Sequence, residues 1–205
     1  MKDLRIEKIT VKKNPYIKPT KDTNITCKNL LKQQFHQPAP NLVWVSDVTE
    51  IKINQKPVYF CAIMDLYSRK IISHQISRKN NTRLTMNTFK LAIQKRKKVP
   101  NLFHSDRGSN YTAHKFQRLL KKHHVKQSFS NPGYPYDNAV MESFFSHYKR
   151  ETIRTMLPFR KIQDYIRMVK DYILYYNNDR FHMGIGMLTP NKKERIHYKL
   201  APLLG

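Results

Sequence analysis

The pattern of apolar and polar residues tightens at Val43. In "VWVSDVTEIKI", residues 43–53, Val43, Val45, Val48, Ile51 and Ile53 are set among polar side chains, close to the two-residue period of a strand with one buried face. "NQKP" is a turn, "VYFCAIMDL" a second strand, and "YSRK" a turn into a third, "IISHQIS". "NTRLTMNTFKLAIQKR" carries Leu84, Phe89, Leu91, Ala92 and Ile93 and predicts a helix ending in basic residues, where cations suit the helix dipole. "VPNLFHSD" predicts a short fourth strand, and "TAHKFQRLLKKHH" a helix with Thr112 as its cap. "VKQSFS" predicts a fifth strand and "NPGYP" a loop. "DNAVMESFFSHYKRETI" predicts one long helix striped with Met141, Phe144, Phe145 and Tyr148. Two more helices follow, "IQDYIRMVKDYILYYNN" and one opening at "LTPNKKERI" with Thr189 as cap and Pro190 in its first turn. Three strands by meander, then alternating helix and strand, predict an α/β fold with a mixed five-stranded sheet flanked by helices.

Residues 1–40 are polar, basic and weakly periodic, and end in the breaker "QPAPN". They are expected to form a basic N-terminal arm, with at most a short helix at Leu30-Leu31, ahead of a core over 41–205 with a helical C-terminal extension. Charge then narrows the partner. The 205 residues hold 39 Lys+Arg against 14 Asp+Glu, a net charge of +25. With 40% hydrophobic content the chain can build a core, so the excess belongs to a folded protein and predicts a polyanionic partner, nucleic acid first. Cys27 and Cys61 stand too far apart for a zinc or disulfide pattern. No apolar run suggests a signal peptide or membrane span, so a cytoplasmic, nucleoid-associated setting without membrane contact is expected.

In so basic a chain the placement of acids is informative. Asp47 lies inside a strand, where aspartate is disfavoured. Asp106 ends a strand beside the tight turn at Gly108, and Glu142 lies one turn into a helix. Asn138, Glu142, Ser146 and Lys149 recur at helical spacing as one polar stripe. Carboxylates from two strands and a helix could converge on a hard divalent cation shared with substrate phosphates. Taken singly, each also fits an ordinary role: an edge-strand charge, a turn residue and a solvated helix face. Among the other acids, strand geometry points Glu50 away from Asp47. Asp65 suits a local ion pair with Arg69, Asp137 suits a helix cap, and Glu151 faces elsewhere on its helix. His104 is expected to be structural, and Trp44 and Phe103 to be core.

"WVSDVTEI", "HSDRGSNY" and "YDNAVMESFFSHYKRE" resemble the three acidic motifs of integrase-core transposases from bacterial insertion sequences, relatives of retroviral integrases. Thirty-five residues separate Asp106 from Glu142, and Lys149 follows Glu142 by seven. "YILYYNNDRFHMGIGMLTP" is similar to the family's ending. The resemblance runs from about Asn41 onward. It implies an RNase H-like fold and a Mg2+ (or Mn2+) dependent DNA strand-transfer enzyme using two ions. Asp47, Asp106 and Glu142 would be both catalytic residues and metal ligands. Lys149, Arg107, Ser109 and Asn138 would contact DNA, while Ser105 and Gly108 shape the loop. Hydrolysis of a phosphodiester would precede attack by a DNA 3′-hydroxyl, so no protein nucleophile is needed. The implied partners are element ends and target DNA, in a homodimer or larger synaptic complex. No helix-turn-helix pattern is found before Asn41, and two expectations stay open: a separate helix-turn-helix polypeptide supplies end recognition, or this is a truncated copy. The rival readings are a non-catalytic DNA-binding remnant and a nuclease or resolvase that cuts without joining.

Overall fold

The computed structural model describes residues 28–153, 159 and 161–200. Cys27 and most of the expected arm therefore lie outside the described residues. Five strands form one sheet in the order β3-β2-β1-β4-β5: β1 Val43–Ile53, β2 Lys56–Asp65, β3 Ile71–Ser77, β4 Leu102–Ser105 and β5 Lys126–Phe129. β1, β2 and β3 pair antiparallel as a meander, while β4 lies parallel to β1, and β5 to β4. The expected mixed sheet is therefore present. Asn54 and Gln55 both take positive φ (51° and 61°), the hairpin geometry that matches strand twist.

Each sheet face buries its own core. Val43, Val45, Ile51 and Ile53 point toward helices α4 (Ala139–Tyr148) and α5 (Ile162–Asn178), packing with Phe144, Tyr148, Tyr172 and Tyr176. Trp44, Ile63 and Phe103 point the other way, onto α1 (Thr82–Arg96) and α3 (His114–Lys122) through Phe89 and Phe116. Trp44 and Phe103 are thus core, as expected. In α5 Tyr172 and Tyr176 are buried in this core, while Leu174 and Tyr175 are exposed.

Several boundaries differ from the sequence reading. No helix forms at Leu30-Leu31, because Lys32 and Gln33 turn the chain with left-handed φ values of 48° and 58°. Residues 28–40 do not hang free as an arm there. Leu31 joins the core, Phe129 donates its N–H to the Lys28 carbonyl, and the Leu30 and Leu31 amides donate to Ser128 Oγ. This covers the β5 edge of the sheet. Thr112 does not cap α3. It closes a separate short helix, α2 (Ser109–Thr112), its hydroxyl donating to the Gly108 carbonyl, and extended Ala113 divides the two helices. The single long helix expected from Asp137 is three pieces: a 3-10 turn Pro135–Asn138, α4, and a π-turn Lys149–Ile153. The Thr152 hydroxyl donates to the Tyr148 carbonyl at 2.6 Å, and Glu151 is held by Arg180, which together favour the wider turn.

The last helix, α6 (Pro190–Leu200), is capped by Thr189 Oγ1, which accepts from the Lys192 amide at 3.3 Å. It carries Glu194 into a buried network with Arg96, Lys70 and Ser68. Burial would raise the Glu194 carboxyl, but the Arg96 and Lys70 cations hold it below the usual range. Glu194→Ala leaves the Arg96 guanidinium buried and uncompensated. It is expected to cost about 3–5 kcal/mol of stability, read from the urea unfolding midpoint, with Glu194→Gln costing less. Among the described residues no helix is long and apolar enough to cross a membrane.

Candidate active site

The sheet itself aligns two of the three acids. The parallel β1–β4 register pairs Val43 with Leu102 and Val45 with His104. Continued two residues further, it sets Asp47 level with Asp106, on the face that packs against α4. Neighbouring strands lie about 4.8 Å apart, so a one-strand offset separates the two backbones. α4 supplies the third acid. Its apolar stripe, Met141, Phe144, Phe145 and Tyr148, is buried on the sheet, and Asn138 at its start donates to the Ser46 carbonyl at 3.3 Å. That bond pins the helix one residue from Asp47, with Glu142 exposed a turn later and Lys149 exposed at the helix end.

The electrostatics agree with this placement. Burial, the Asp106 and Glu142 charges together push the Asp47 carboxyl up to about 7, against the pull of the Val48 amide and of Lys149. The Asp106 carboxyl is raised by its protein surroundings, opposed by the Gly108 amide, and Glu142 is raised by partial desolvation. With the charges of Asp106 and Glu142 both raising Asp47, the site is short of positive charge. No group of three His, Cys, Asp or Glu side chains among the described residues is drawn tightly enough to enclose an ion by itself. The donor set nevertheless suits magnesium, which keeps several waters and needs only one or two carboxylates plus substrate oxygens.

The loop after β4 is built around Asp106. Gly108 donates its amide to Asp106 Oδ1 at 3.0 Å, and a Cβ at position 108 would stand 3.0 Å from that same oxygen. Gly108→Ala therefore displaces the tip of a flexible side chain and little else. It is expected to slow DNA joining about tenfold while leaving the unfolding midpoint nearly unchanged. Arg107 donates to the Ser130 carbonyl at 2.9 Å, tying this loop to the one before α4, and Ser109 is exposed at the start of α2. Asn138 differs from its expected role. Only 4% exposed and bonded to β1, it anchors α4 and offers no surface to DNA.

The remaining acids separate as follows. Glu50 is exposed, opposite Asp47 in strand parity, and bonded across the hairpin to Tyr59. Asp65 is structural, held chiefly by backbone: it accepts from the amides of Asn41, Tyr67 and Ser68, while Arg69 feels its charge without a direct ion pair and donates to the Phe35 carbonyl. Asp137 caps no helix; it accepts from the Asn131 amide and Gln33 Nε2. His104 bridges Ser128 and Ser130 and is pushed down to about 4 by burial, which fits a structural role. Sequence reasoning did not see that Glu151 pairs with Arg180 at 2.9 Å and accepts from Tyr172, bracing the π-turn that begins at Lys149. Nor did it see that Asn177 pairs with both backbone groups of Ile71. The polar residues of "YYNNDRFH" are thus largely braces.

The integrase core domain family matches residues 37–135, and a second family of the same description matches 123–190. The transposase of insertion sequence element IS904 of Lactococcus lactis is 34% identical over 179 residues, 86% of this chain and 70% of the relative. The chain belongs to the integrase-core transposases of bacterial insertion sequences. Transposase InsF of insertion sequence IS3A of Escherichia coli is 34% identical over 169 residues, 82% of this chain but 58% of that protein. The chain thus spans between about half and two thirds of several such transposases, and it carries their catalytic-core domain. Among solved structures, an intasome chain of simian T-cell lymphotropic virus superposes with a TM-score of 0.65 at 16% identity, over 78% of this chain and 56% of that one. The magnesium complex of the HTLV-2 integrase catalytic core superposes with a TM-score of 0.57 at 18% identity, over 77% and 98%. These likenesses establish the RNase H-like fold of retroviral integrase cores for this transposase core.

Proposed function

We propose that this chain cuts and joins DNA strands at the ends of an insertion sequence, with Asp47, Asp106 and Glu142 as the catalytic carboxylates. The observation that supports the reading is that the charges of Asp106, level with Asp47 on the sheet, and of Glu142, on the helix packed over that face, both act on Asp47. The same three residues would hold two magnesium or manganese ions, which supply charge stabilisation to the attacking and leaving oxygens of an in-line displacement. In each step an oxygen, of water and then of a DNA 3′-hydroxyl, attacks phosphorus, and the opposite bridging P–O bond breaks to free a 3′-hydroxyl. Lys149, exposed two turns beyond Glu142 with its charge acting on Asp47, would hold a phosphate of the bound strand, and Arg107 and Ser109 would line its path past Asp106. The overall charge of +25 supports a DNA partner. Paired element ends imply at least two copies in the working complex, with a helix-turn-helix polypeptide or segment reading the end sequence.

The test is incubation of the purified protein with labelled DNA carrying the element ends and magnesium or manganese. Joined strands are the expected product. Cleavage without joining would replace the reading with a nuclease, and binding without either would replace it with an inactive DNA-binding remnant.

A further inference from the structure

On the other face of β1, behind the carboxylates, lies a buried polar pair that the chemistry above does not use. Ser46 shares the strand parity of Trp44, so it points into the core opposite Asp47 and is fully buried there. Its hydroxyl donates to the Ala62 carbonyl at 2.9 Å and lies 2.8 Å from the Tyr111 hydroxyl. A serine hydroxyl carries one proton, and Ala62 takes it, so Tyr111 is the donor to Ser46. Tyr111 is only 2% exposed, its ring packed against Phe103 and Phe116. Burial first, then the Cys61, Asp47 and Asp106 groups, push its phenol well above the ordinary range, so it keeps the proton that it donates. Apolar side chains could fill this space without the cost of burying two hydroxyls, so the pair calls for a reason.

The pair spans a gap in the scaffold of the site. The β1–β4 ladder ends at the Val45–His104 pair, short of both Asp47 and Asp106. β4 itself stops at Ser105, and Asp106 leaves on a loop. Arg107 and the Ser130 amide tie that loop toward the β5 side. Tyr111 follows Asp106 by five residues, its amide donating to the Gly108 carbonyl, and its hydroxyl returns the far end of the loop to β1, next to Asp47. The carbonyl of the same Ser46 accepts from Asn138, which seats the helix of Glu142. Ser46 is thus one point through which β1, the Asp106 loop and α4 are held in register. Carboxylates that act together must be set within about 0.5 Å, which a bond across this gap can supply and a loop left to itself does not.

We propose that Tyr111, acting through Ser46, is a positioning residue that sets the spacing of Asp47 and Asp106 and with it the affinity of the site for divalent cations. The proposal rests on the reading of these acids as metal ligands, and its test has a readout other than joining. The thermal midpoint of the full chain is followed as magnesium, and separately manganese, is added to metal-free protein, and an apparent dissociation constant is taken from that dependence. Tyr111→Phe keeps the ring and leaves Ser46 its bond to Ala62, so the fold survives. It is expected to weaken binding of both ions about tenfold. Ser46→Ala should do the same, and the double variant should bind no more weakly than the weaker single one, because both delete one bond. Single-turnover joining at limiting magnesium should fall in proportion and recover as magnesium is raised. The control is Tyr165→Phe, which deletes another buried hydroxyl bond of 2.8 Å, to Tyr148, between α4 and α5. It should lower the metal-free midpoint and leave the dissociation constant within twofold. A Tyr111 that only stabilises the fold would follow that same pattern, a lower midpoint with unchanged metal affinity, and this result overturns the proposal. So does an equal loss of affinity in Tyr165→Phe, or a wild type whose midpoint responds to neither ion. Tenfold weaker metal binding in Tyr111→Phe, with a wild type that joins no DNA, keeps the tie and loses the joining reading. Joining by the wild type, with metal affinity unchanged in Tyr111→Phe, keeps the joining reading and loses the tie.

Discussion

Asp106→Asn and Glu142→Gln are each expected to lower DNA joining roughly a thousandfold or more, while DNA binding holds within about twofold. Each change keeps the shape of the side chain and removes one charge. Both side chains reach solvent, so neither substitution opens a cavity or strands a buried partner. Binding is supplied mainly by the basic surface, and removing a carboxylate near phosphates can only ease that attraction. The loss should therefore appear in the chemical step, measured as single-turnover formation of joined strands at saturating protein. Glu50→Gln is the control. It neutralises an acid only three residues from Asp47, but on the opposite side of β1, and it should leave the rate unchanged. Activity within tenfold of wild type in Asp106→Asn or Glu142→Gln would remove that carboxylate from the catalytic set. Lys149→Ala should behave differently, weakening binding to element-end DNA along with the rate, since its charge meets phosphate rather than the reacting bond.

Much of the fold was legible because the strands announce themselves by alternation and the helices by apolar stripes. Val43 to Ile53 could be read as a strand that contains an acid, and that misfit led to Asp47. Glu50 could be set aside by parity alone, and its exposed side chain agrees. The partners of Asp47 were legible only through motif resemblance, because a parallel β1–β4 pairing joins residues some sixty positions apart and leaves no local trace. Asn138 was misassigned for a related reason. Its helical spacing with Glu142 is real, but the chain there is a 3-10 turn leaning on Ser46, which buries it. The Glu151–Arg180 and Glu194–Arg96 pairs link residues 29 and 98 positions apart, and a chain with 39 basic residues gives no hint of which cation each acid selects.

Asp47→Asn is expected to stabilise the metal-free protein at pH 8 while abolishing joining. In the folded chain this carboxyl titrates near 7, against 3.8 in its ordinary setting. Between about pH 4 and 7 the folded state therefore holds a proton that the unfolded state has lost, and stability falls as pH rises through that window. Above about 7 the penalty is complete, because the fold must then carry a half-buried negative charge facing Asp106 and Glu142, whose own raised carboxyls act in the same direction. The penalty is on the order of 2–4 kcal/mol, large against the marginal stability of a domain of this size. Asparagine removes the Asp47 share of it. Thermal unfolding in EDTA should give a midpoint several degrees higher for Asp47→Asn than for wild type at pH 8, with the difference closing toward pH 4. Magnesium should reverse the order at pH 8 by stabilising wild type and not the variant, since a divalent cation supplies the charge the three carboxylates lack. Equal midpoints at pH 8 in EDTA would mean that Asp47 carries no strain. A magnesium response that survives in Asp47→Asn would place the cation elsewhere. The cost of this aspartate in its strand would then be electrostatic energy that a bound divalent cation releases.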